Sequence, residues 1–188
     1  NKNAFCPLFG FISGVLEDNP DKATEWINKM DSLKEEHLGV VVLGLWYANI
    51  PDSQALAYEI LDKHPRLSND FSFLKNGSPM PVEKITLVQG VWILDSLWGK
   101  FMATGKKEPV ERIMAALPWA DIKGDTNKLL IGGAARWSLT SNAVEHDRVF
   151  KFCEAATETQ PKDISVKLIE VLDDARKGRE KMKGGHNQ

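Results

Sequence analysis

The chain has 188 residues, 43% hydrophobic and 27% charged, with a formal net charge of −2. That is enough chain to bury a core of its own, at a composition ordinary for a globular domain. So balanced a charge leaves no global basic footprint for nucleic acid. No apolar run reaches the roughly 18 residues that a membrane-crossing helix needs.

In chain order, residues 4–16 predict a first helix, with Pro7 tolerated in its first turn. Gly10 and Gly14 are four apart and share one face, which would let a neighbouring helix approach closely. Pro20 breaks this helix, and Asp21 is placed to cap a second over 22–33, with Ala23, Trp26, Ile27 and Met30 as its apolar stripe. Residues 35–49 are apolar nearly all round. Val40-Val41-Val42 would also suit a buried strand, but the helical neighbours favour a helix. A fourth helix over 54–63 follows the turn at Pro51, with Asp52 or Ser53 as its cap.

Between Arg66 and Glu83 the composition shifts towards Asn, Gly, Ser and Pro. A long irregular stretch inside a compact domain is usually functional or mobile. Phe71, Phe73, Leu74 and Met80 suggest that this one packs down. Residues 85–101 then predict an inner helix, a turn at Thr104-Gly105-Lys106-Lys107, and a half-exposed helix opening at Glu108-Pro109. The stripe of that second helix is Val110, Ile113, Met114 and Leu117. Trp119 would seal the next loop onto the core. Helices over 127–139 and 144–157 are expected on either side of a turn at Thr140-Ser141-Asn142, and Gly132, Gly133, Ala134 and Ala135 imply a close neighbour. A last amphipathic helix is expected over 163–176, and residues 177–188 are read as a disordered polar tail.

Three segments invite alignment. Trp46, Trp98 and Trp137 each precede a polar turn, and each turn leads into an amphipathic helix. Their unequal spacing departs from a strict array. On these segments the chain resembles a degenerate helix-turn-helix repeat of the tetratricopeptide or Sel1 kind. Residues 90–153, with Leu97-Trp98-Gly99 and Ala135-Arg136-Trp137, also resemble stretches of uncharacterised bacterial helical proteins. The resemblance implies an all-α fold, a stack of about four antiparallel hairpins in a single domain over 1–176. It carries no assigned activity.

Chemical motifs are sparse. Gly99 to Lys107 imitates a phosphate-binding loop but has the wrong spacing, lacks the Ser or Thr, and ends a helix instead of opening one. The four histidines, His37, His64, His146 and His186, show no metal-ligand spacing, so neither a metal nor another cofactor is expected. Ser141 and His146 lie near one turn, with Cys153 two helical turns beyond His146. They could serve a hydrolase, although Ser141 also reads as a helix cap. Cys6 and Cys153 could form one disulfide clamping the two ends of an exported chain, or stand as two buried free thiols packed as small hydrophobes.

Repeat stacks present extended binding surfaces. The expected function is therefore non-catalytic protein–protein binding, the partner being another protein. The contact residues would be Trp26, Phe71, Phe73, Met80 and Trp119. The alternatives are a hydrolase using His146 with Ser141 or Cys153, and a structural module of a larger assembly. The polar start Asn1-Lys2-Asn3, with no initiator Met, reads as that of a processed chain or of an internal piece; the expected location, for a bacterial protein, is periplasmic or secreted, with a cytoplasmic one as the alternative.

Overall fold

The structure is a computed structural model that describes residues 5–30 and 32–185. Among the described residues there are ten α-helices, several short 3-10 turns and no strand. The chain is all-α. The described residues fall into two compact units. One takes the described residues up to Thr86 together with Asp95–Lys106, and the other takes Leu87–Leu94 and the chain from Lys107 onward.

The first unit is built around α3 (Glu35–Trp46), in which every residue from Leu38 to Trp46 is buried. A helix apolar on all sides must be enclosed, and burial here outweighs the strand preference of three consecutive valines. α1 (Phe5–Asp18), α4 (Ser53–Lys63) and α5 (Pro65–Asp70) pack against it. α2 (Ala23–Met30) buries only Ala23 and Ile27.

Part of α6 (Trp92–Thr104) completes this unit, and its approach to α1 is backbone on backbone. A Cβ at Gly10 would land on the Ser96 carbonyl, and one at Gly99 would land on that of Pro7. Gly14 faces Ala103, so the two glycines read as a contact face do form one. α6 starts at Trp92, seven residues later than the apolar pattern suggests. Gly90 is the reason: its φ of 138° lies outside any helical conformation.

In the second unit α8 (Thr126–Glu145), α9 (Asp147–Thr159) and α10 (Lys162–Gly185) pack pairwise. α7 (Glu108–Met114) and the turn Leu117–Asp121 close them off. Val110, Ile113, Met114 and Leu117 are all completely buried, as their spacing predicts. Asp125 caps α8, accepting the Lys128 N–H at 3.0 Å.

Three further expectations are corrected. α8 runs through Thr140-Ser141-Asn142 to Glu145, because each of these residues fits a helical turn and Asn142 bonds back to the Ser138 carbonyl. α10 continues past Arg176 to Gly185. Arg179 holds that extension: it donates to the Ala143 carbonyl at 2.6 and 2.9 Å, pairs with Asp147, and lies 4.4 Å from the Phe150 ring centre. Finally, Trp137 is 73% exposed, whereas Trp46 and Trp98 are buried. The buried row of α8 is Ile131, Ala135, Leu139 and Ala143. At about 100° per residue, a side chain two positions from Ala135 points the other way. The three tryptophans are therefore not equivalent.

Neighbouring glycines of α8 give a direct test. A Cβ at Gly132 would strike the Trp119–Ala120 backbone, while one at Gly133 meets nothing within 4 Å. Gly132→Ala should destabilise the second unit by about 1–3 kcal/mol. Gly133→Ala should stabilise it by about 0.5–1 kcal/mol through helix propensity. Denaturant midpoints for the two variants check the opposite signs.

Candidate binding cleft

One concavity among the described residues is in the first unit. It lies among the N-terminus of α3, the short α5 and the start of α1, with a volume of about 590 Å³. That is within the range of ligand-sized sites. Phe5, Gly39, Leu67 and Phe71 supply its apolar surface, and Lys34, Glu35, Glu36, Arg66 and Asp70 its charges.

Local structure explains the walls. Pro65 opens α5, where a residue without an N–H is tolerated. Glu35 reaches across from α3 and accepts the Leu67 N–H at 3.1 Å, satisfying one of the free donors of α5. Gly39 makes room for Phe71, whose ring a Cβ there would meet at 3.1 Å. Lys34 and Glu36 are 4.0 Å apart and both exposed, a weak pair. Among the described residues no hydrogen bond or ion pair engages the Arg66 or Asp70 side chain.

Of the residues chosen from sequence, two come together here. Phe71 lines the cleft, and Phe73 stands beside it with ring centres 5.9 Å apart. Phe73 is 60% exposed. Met80 is also exposed, on the same segment, with its N–H donated to the Trp46 carbonyl at 3.3 Å. Trp26 is half-buried on α2 and does not line the cleft. Trp119 belongs to the second unit, half-buried under Lys128, whose ammonium is 5.8 Å from the ring centre. The stretch from Arg66 to Glu83 is more regular than its composition suggests: α5, then 3-10 turns at Ser72–Asn76 and Val82–Lys84. Sequence reasoning missed Phe5, Lys34, Glu35, Glu36 and Gly39, which lie well before that stretch in the chain.

The segment is anchored at its far end by a buried cluster of charge. Lys100 of α6, almost wholly buried, donates to Glu17 and to Glu83, each at 2.8 Å. Glu17 also accepts the Asn49 N–H at 2.7 Å. One ammonium thus joins α1, α6 and the end of the 66–83 stretch.

The second unit has a shallower groove of about 650 Å³ lined by Pro118, Lys162, Asp163, Val166 and Lys167. It also exposes Leu130 and Trp137 on one side of α8. The residues considered for hydrolysis are not assembled there. Ser141 is inside α8, His146 is exposed at the α8–α9 junction, and Cys153 is completely buried in α9. No hydrogen bond links these three side chains among the described residues. Among those residues, too, no three His, Cys, Asp or Glu side chains gather as for a metal, and no helix is long and apolar enough to cross a membrane. His186 lies outside the described residues.

No family model matches the chain, and no curated protein or solved structure matches it either.

Both cysteines are free thiols. Cys6 sits on α1 and is half-buried, and Cys153 is completely buried in α9. Burial, with a smaller contribution from Glu154, pushes the Cys153 thiol up to about 12 from its ordinary 9.0. A thiol that keeps its proton is a poor nucleophile. Because the folded value is the higher one, Cys153 stabilises the fold fully below about pH 9 and loses that contribution as the pH rises towards 12. Between those limits, stability of the wild type should fall more steeply than that of Cys153→Ala, as measured by denaturation at stepped pH. Equal slopes would contradict the burial.

Proposed function

We propose that the chain is a non-catalytic binding domain that takes a segment of another protein on the face formed by α5 and residues 71–80. Phe73 carries the reading. A phenylalanine exposed over 60% of its surface, on the rim of a formed cleft and touching an aromatic of its wall, is surface that water solvates poorly. Aromatic residues of this kind are typical anchors of protein interfaces. Met80, on the same segment, adds a flexible apolar contact.

The anchoring of the segment supports the same reading. Glu35 holds its start and Lys100 its end, so little conformational entropy remains to be lost on binding. The reading rests on the cleft and its rim and does not require a repeat architecture.

Phe73→Ser removes the anchor without touching the core. Used as baits against extract of the source organism, wild type and Phe73→Ser should differ in at least one protein recovered in stoichiometric amount by the wild type. Trp137→Ser, altered on the second unit, should retain that protein. Identical recovery by all three baits would refute the assignment of this face.

A further inference from the structure

The charges around the cleft carry a direction. Arg66 stands at the first turn of α5 and Asp70 at its last residue, four positions on. Residues four apart on a helix are neighbours, and opposite charges there can pair, better with the acid first. These two do not, and both line the cleft. Their order also opposes the helix dipole, which favours acid at the start and base at the end. Both charges are therefore open to a partner outside the chain, on the wall of the cleft.

We infer that the cleft binds a dipolar peptide segment: an apolar side chain seated against Leu67 and Phe71, a carboxylate on one flank paired with Arg66, and a basic residue on the other paired with Asp70. This deepens the binding reading above and rests on it. Charge complementarity sets the occupant. Arg66 offers a planar fork of donors that suits a carboxylate, and Asp70 accepts from an ammonium or guanidinium. A uniformly acidic or uniformly basic segment would meet one like charge across the cleft. On the opposite wall Lys34 and Glu36 lie 4.0 Å apart, and the Glu35 carboxylate is engaged by the Leu67 N–H.

The test is selection from a random peptide library displayed on phage, against immobilised full-length protein. The second target is the double reversal Arg66→Asp/Asp70→Arg, which keeps the net charge and places both groups as the helix dipole prefers, so folding is not at risk. Wild type should enrich peptides with an apolar residue between an acidic and a basic flank. The reversed protein should enrich the opposite order. A synthetic peptide of the selected sequence should bind Arg66→Gln about tenfold more weakly than wild type, the size expected for one charge-assisted bond. A shared apolar residue with no charge order, or the same order on both targets, overturns the inference and leaves the binding face standing. Peptides that bind Phe73→Ser as well as wild type, or no enrichment at all, overturn both.

Discussion

A single buried ammonium ties three separate segments of the first unit to one another. Lys100 is nearly removed from water, yet its Nζ meets two carboxylates at 2.8 Å. A charge buried without partners would cost several kcal/mol, roughly, so the geometry of Glu17 and Glu83 around it is obligatory. Each partner brings an element with it: Glu17 the end of α1 and the Asn49 loop, Glu83 the end of the segment that began at α5. The lysine can reach them only because α1 and α6 touch through Gly10 and Gly99, with no side chain between. Packing and electrostatics are therefore one arrangement. The glycines bring the helices close, and the lysine uses that closeness.

The cleft depends on this arrangement. Its wall at Leu67 and Phe71 belongs to α5, which is capped from α3 by Glu35. The residues after it run through short turns with few hydrogen bonds of their own, and such a stretch would fluctuate if its far end were loose. With Glu83 tied to Lys100 and the Met80 N–H tied to the Trp46 carbonyl, Phe73 is exposed on a braced support. Exposed aromatics on rigid backbone bind with less ordering cost than the same residues on a mobile loop.

Much of the helical architecture was legible in the residues. Gly10 and Gly14 announced a close helix contact, the stripe Val110-Ile113-Met114-Leu117 is the buried one, and the apolar run around Val40–Val42 is a helix at the centre of its unit. Other features were not legible. Trp137 looks like a core residue because it is large and apolar, but the helical spacing puts it opposite the buried row of Ile131, Ala135 and Leu139. The start of α6 is set by the backbone of Gly90, which no periodicity reveals. Of the cleft, the aromatic pair Phe71 and Phe73 was visible as apolar residues in a polar stretch. Its other wall, from Phe5 and Lys34 to Gly39, comes from distant positions that only tertiary folding brings close.

The central claim is that Lys100 braces the segment carrying Phe73. Amide hydrogen exchange tests it most directly, followed at Leu74, Gly77, Met80 and Ile85, whose N–H groups are bonded in the structure. In the wild type these amides should exchange slowly and as a group. In Lys100→Met, which leaves Glu17 and Glu83 facing each other without their cation, they should exchange faster together while α9 and α10 are unchanged. Fast exchange already in the wild type, or protection untouched by the substitution, would contradict the account.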